Sequence, residues 1–111
     1  MRGEAIEVFG DGRQSRDFIF VDDVVTALLN AMDMWSSAEP VLNICTGKAT
    51  AVLDLGQTIA TLCDRDLAIR FRPTCKGEVM HSCGDPTAAK QAIGFVAHTE
   101  LRIGLSATLA C

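Results

Sequence analysis

Gly10-Asp11-Gly12-Arg13-Gln14-Ser15-Arg16-Asp17-Phe18-Ile19-Phe20-Val21-Asp22-Asp23 is the stretch on which the reading of this chain turns. Upstream of it, Ile6 and Val8 alternate with polar neighbours, the period of a strand. Gly10-Asp11-Gly12 is a tight-turn signal, and Phe18-Ile19-Phe20-Val21 reads as a second strand, so the pattern predicts an opening β-hairpin. From Val21 the apolar positions fall at 21, 24, 25, 28, 29 and 32, which is helical spacing. Asp22 and Asp23 sit where carboxylates suit the positive end of a helix, and they read as helix-start residues rather than catalytic acids.

Beyond that helix, Glu39-Pro40 is a break, Val41-Leu42-Asn43-Ile44-Cys45 reads as a buried strand, and Thr46-Gly47 as a turn. Val52, Leu55, Ile59 and Leu62 mark a second helix ending near Asp64 or Arg65, with Thr50 as the available cap because Ala51 has no side-chain acceptor. Leu67 to Arg72 alternate as a strand with one face on the core and Arg70 and Arg72 together on the other. Asp85-Pro86 predicts a helix with Asp as its cap and Pro at its first position, running to about Ile93 and closed by Gly94. Leu101, Leu105 and Leu109 space a last helix after Thr99. The expected order is ββαβαβαα: an α/β (α+β) fold with a small mixed sheet and about four helices, in a single domain over residues 1–111.

Composition narrows the functions. The chain has 111 residues, with 10 Lys+Arg against 14 Asp+Glu, a formal charge of −4. A slight acidic excess without a cationic block argues against nucleic acid as a partner. The apolar runs Val24 to Met32 and Ile103 to Cys111 are far shorter than the roughly 20 residues of a membrane span, so no membrane partner is expected. Five cysteines without a CxxC pair, and no signal-like start, read as a reduced, cytoplasmic protein. A hydrophobic content of 49% in so short a chain leads us to expect a partner surface. There is no tyrosine, so chemistry that needs a phenol is excluded from this chain. Cys75, His81 and Cys83 follow no zinc-ligand spacing, and no metal site is expected.

The opening stretch, with Asn43-Ile44-Cys45-Thr46-Gly47, Phe71-Arg72-Pro73, Gly77-Glu78, His81-Ser82, Asp85-Pro86, Gly94-Phe95 and Leu101 to Leu105, resembles the NAD-dependent epimerase/dehydratase family, the extended short-chain dehydrogenases that process nucleotide sugars. The resemblance is to the C-terminal, substrate-binding portion, without the Rossmann domain. It implies a substrate-lobe segment of a nucleotide-sugar epimerase or dehydratase, truncated or separately encoded. Such enzymes pass hydride to NAD while a Tyr-x-x-x-Lys unit takes the hydroxyl proton. With no tyrosine and no strand-to-helix glycine loop, this chain alone is expected to be non-catalytic and to hold no cofactor, NAD being implied only for a full-length relative. Gly10-x-Gly12 is followed by a predicted strand and reads as an ordinary turn.

The resemblance also implies ligand residues. Arg16 lies in the Arg-Asp-Phe motif, where the guanidinium meets the substrate's diphosphate; the residues alone leave it open between that role, a surface cation, and a partner of Asp17 or Asp22. Asp17 reads as structural. The motif Arg-Pro-x-Arg-x-Gly-Asp is here Arg72-Pro73-Thr74-Cys75-Lys76-Gly77-Glu78: Cys75 replaces the second arginine and Glu78 the nucleotide-contacting aspartate. Lys76 restores a charge but not a bidentate fork, and losing one such pair removes on the order of 1.5–3 kcal/mol of binding. Cys45 and Met80 stand where the family usually has a glycine and an arginine. Asn43 and Thr46 are open between nucleotide contact and hydrogen bonds to the turn. The expected substrate set is therefore Arg16, Asn43, Arg72, Lys76 and Glu78, for a UDP-sugar ligand. The expected protein partner is a second copy in a homodimer or a missing dinucleotide-binding domain. The alternative is a non-enzymatic module that self-associates or binds a small nucleotide.

Overall fold

The computed structural model describes residues 5–34 and 41–110. Their elements run β1 (Ile6–Phe9), β2 (Ser15–Arg16), α1 (Val21–Asp33), β3 (Thr50–Ala51), α2 (Val52–Leu62), β4 (Ile69–Arg72), α3 (Thr87–Ile93) and α4 (Leu101–Leu109). The order ββαβαβαα holds, but its third strand is not the expected one: residues 41–45 form no strand, and Thr50–Ala51 take that place. The chain gathers into two compact units, Met1–Arg16 with Ala49–Ser82, and Asp17–Lys48 with Cys83–Cys111.

In the first unit β1 pairs with β4 in parallel, Ile6 opposite Ile69 through Phe9 opposite Arg72, and β2 pairs with β3 antiparallel. The opening hairpin is thus corrected: β1 has no partner in 18–21, and residues 18–20 are not a strand. The cause lies in the glycine turn. Gly10 and Gly12 both take positive φ, and the chain leaves the turn towards α2, whose first N–H groups, Val52 and Leu53, donate to the carbonyls of Gln14 and Gly12. The buried Gln14 side chain donates back to Phe9 O at 2.9 Å, standing in for a hairpin rung. A Cβ on Gly12 would lie 3.1 Å from Leu53 Cβ and 3.6 Å from Val8 Cγ1, so the glycine lets strand, turn and helix close on one another. Helix α2 starts after Ala51 with no side-chain cap from Thr50. The core face expected of β4 is also corrected, since Phe71 remains 55% exposed. Among the described residues it pairs with the four-residue β1 alone, and most of that ring is left uncovered.

In the second unit Ala27, Ala89, Ile93 and Phe95 form the core, with Ile19, Ala31, Leu42, Ile44 and Ala97 packed against it. Leu42 and Ile44 thus supply the alternating inward face expected of a strand, although 41–45 has no ladder among the described residues. Helix α1 begins at Val21 as the spacing predicts, but it buries Asp23 and Ala27 rather than the large apolar stripe. Asp23 sets this rotation: its carboxylate accepts from the N–H groups of His98 at 3.4 Å and Thr99 at 3.1 Å. Val25, Leu28, Leu29 and Met32 are consequently 46%, 61%, 55% and 75% exposed. Helix α3 starts one residue later than expected, at Thr87, with Asp85 accepting from the Thr87 N–H and hydroxyl. Gly94 closes it in the left-handed conformation, and α4 follows from Leu101.

Candidate functional site

Two distant stretches of the first unit meet at Arg16. Ser15 forms a parallel bridge to His81: its N–H donates to Met80 O at 2.9 Å, its carbonyl accepts from Ser82 N at 3.0 Å, and its hydroxyl lies 2.8 Å from His81 Nδ1. This clasp brings Glu78 to the next residue along β2. Arg16 Nη1 donates to Ser15 O at 2.7 Å and Met80 O at 3.4 Å, while Nη2 is 3.9 Å from Glu78 Oε1. The carbonyls orient the guanidinium, and the long contact to Glu78 is a loose ion pair of about 0–1 kcal/mol. The remaining N–H groups of a planar fork held this way suit the oxygens of an anion.

The other sequence-derived candidates fall elsewhere. Arg72 Nη2 donates to Glu7 Oε1 at 2.7 Å across the β1–β4 pair, and this hydrogen bond and charge, with Arg70 adding to it, hold the Glu7 carboxyl below its ordinary range. Arg72 is thus already paired, with a residue that carried no functional signal in the sequence. Lys76 is exposed on the turn closed by the Glu78 N–H donating to Cys75 O at 3.2 Å, with Gly77 at φ 83°. Asn43 is exposed and belongs to the second unit. Of the five, the structure brings Arg16 and Glu78 together. Ser15 and His81, which make the meeting, went unread because nothing local links residues 66 apart.

Asp17 organises the second unit. Its carboxylate accepts from the Thr46 N–H at 3.0 Å, the Thr46 hydroxyl and the Gly47 N–H at 2.8 Å. Burial pushes its pKa up, but the donors of Thr46, Gly47 and Gly84 outweigh this and hold it below the ordinary value. Asp17 is structural, as its sequence context suggests, and Thr46 serves the turn: its hydroxyl oxygen also accepts from Lys48 N at 3.0 Å. Cys45 packs so tightly on Gly84 that a Cβ there would meet its sulfur at 2.5 Å. Burial first, then the Asp17 charge, raise the thiol pKa of Cys45 and of Cys83, so neither is an activated nucleophile.

The glycine turn does not fit a dinucleotide. It leads into β2 rather than a helix N-terminus, and Gly12 is closed on by Leu53 instead of opening to a pyrophosphate.

The described residues thus form two α/β units, with an arginine fork beside a Gly-Glu turn in the first. Residues 1–45 match the model of the NAD dependent epimerase/dehydratase family. It is 30% identical over 109 residues to the UDP-glucose 4-epimerase of Mycolicibacterium smegmatis, covering 98% of this chain and 34% of that protein. It is 32% identical over 107 residues to UDP-glucuronic acid decarboxylase 4 of Arabidopsis thaliana, covering 95% of this chain and 23% of that one. The solved structure of MoeE5 in complex with UDP-glucuronic acid and NAD superposes with a TM-score of 0.89 at 37% identity, over 96% of this chain and 36% of that one. The chain thus spans about a third or less of the length of these relatives. Among the described residues no helix is long and apolar enough to cross a membrane.

Proposed function

We propose that this chain is the substrate-recognising segment of an NAD-dependent nucleotide-sugar epimerase or decarboxylase, binding the nucleotide diphosphate of a UDP-sugar and performing no hydride transfer alone. The observation that carries the reading is the Arg16 fork, oriented by two carbonyls and set beside Glu78. In this reading Arg16 binds the diphosphate, Glu78 faces the nucleoside, and Arg72 and Lys76 add positive charge to the phosphate approach. Hydride chemistry and NAD belong to a dinucleotide-binding domain outside these residues, because the chain contains no tyrosine and its glycine turn leads into a strand. The odd cysteine count without a CxxC pair supports a cytoplasmic setting. Calorimetric titration with UDP and with NAD tests the reading: UDP binds saturably, Arg16→Ala weakens it about tenfold or more, and NAD gives no heat. Absence of UDP binding at millimolar concentration, or binding unchanged in Arg16→Ala, overturns it.

The exposed stripe Val25, Leu28, Leu29 and Met32 on α1 favours a second reading, a module that self-associates through this face. Sedimentation separates the two: a dimer abolished by Leu28→Glu supports self-association, and a monomer at high concentration leaves the face to a dinucleotide-binding domain.

A further inference from the structure

The second unit contains a concave space of about 610 Å³ between α3, the Cys45–Thr46 turn and the segment after Gly94. None of Arg16, Asn43, Arg72, Lys76 or Glu78 lines it. Its volume falls within the usual range for small-molecule pockets, about 300–1,000 Å³. Two of its polar side chains are already committed, the Thr46 hydroxyl to Asp17 and the Thr87 hydroxyl to Asp85. Two are not: among the described residues neither the Lys90 ammonium nor the adjacent Gln91 amide has an ion-pair or hydrogen-bond partner. Pro86, the 43%-exposed Val96 and the buried Phe95 supply apolar lining. The Cys45 thiol in the wall stays neutral, since burial and then the Asp17 charge raise its pKa.

We propose that this cavity binds a small monocarboxylate with an aryl or branched apolar body, the carboxylate on Lys90 Nζ and the Gln91 amide and the body against Pro86 and Val96. The donor set selects the class. Lys90 brings one positive charge and Gln91 one amide donor to the lining, a set that suits a single negative charge shared over two oxygens. A neutral body of the same shape leaves the ammonium without its partner, so charge as well as shape is read.

The test is an NMR titration of the amide resonances of the 111-residue chain with benzoate and, as a neutral match in shape, benzamide. Benzoate produces saturable shifts at Thr46, Thr87, Gln91 and Val96, and benzamide binds about tenfold more weakly. Lys90→Gln abolishes that preference and Lys90→Arg keeps it; Lys90 is exposed, and unchanged resonances away from the cavity verify that both variants fold. The proposal is overturned by unsaturable shifts at millimolar benzoate, by equal affinities for the two probes, by a preference that survives Lys90→Gln, or by shifts centred on Arg16.

Discussion

Replacing Asp17 with Asn tests how the second unit is held. Oδ1 of the wild-type carboxylate accepts from the Thr46 N–H and hydroxyl, and Oδ2 accepts from the Gly47 N–H at 2.8 Å. The amide can preserve the first pair, but then its NH₂ faces the Gly47 N–H, donor against donor. Hydrogen bonds to a charged group are worth about 1.5–3 kcal/mol, and solvent reaches the Gly47 side of this one, so a loss of about 2 kcal/mol is expected. For a chain of this size that corresponds to a fall in Tm of about 8 °C. Urea denaturation followed by circular dichroism measures it, and pH supplies the signature. Because the folded-state pKa of Asp17 lies below its unfolded value, its charge stabilises the fold above about pH 4, and the contribution fades as pH falls through the folded pKa. The gap between wild type and Asp17→Asn is therefore full at neutral pH and closes in acid. A neutral-pH gap under about 0.5 kcal/mol, or one that widens in acid, would refute the argument, since a charge-assisted anchor can produce neither.

Two glycines with nearly the same φ separate backbone strain from packing. Gly12→Ala meets Leu53 Cβ at 3.1 Å as well as a left-handed φ of 79°, whereas Gly77→Ala at φ 83° meets nothing within 4 Å. The first is expected to cost about 2–4 kcal/mol and the second about 1, read as the difference in urea midpoints; equal losses would remove the close-packing role of Gly12. Asp23→Ala strands the N–H groups of His98 and Thr99 and is expected to cost about 1–3 kcal/mol, with faster amide hydrogen exchange at those two positions. Unchanged exchange there would mean that Asp23 does not tie α1 to the segment before α4.

What could be read beforehand was what local pattern encodes. The spacing from Val21 locates α1, the left-handed Gly94 stop locates the end of α3, and the leucines after Thr99 locate α4, because each rests on neighbours within a few residues. What failed was pairing. Alternation at Ile6 and Val8 says that a strand exists but carries no address, and the nearest apolar run, 18–20, was the wrong partner; β4, some 60 residues on, was the right one. The same limit governed the candidate site. Arg16 stood out because a planar cation in a short motif is visible alone, but its surroundings depend on the Ser15–His81 bridge, and the partner of Arg72 is Glu7, across a pairing no local pattern encoded. Helix α1 shows the third kind of failure. Its large apolar side chains announce a buried face, yet the buried face is the one carrying Asp23 and Ala27. Hydrophobic spacing fixes that a helix forms, while one carboxylate with two backbone donors fixes which way it turns. The large side chains are left facing outward, and an uncovered stripe of that size is itself the argument for a partner surface on α1.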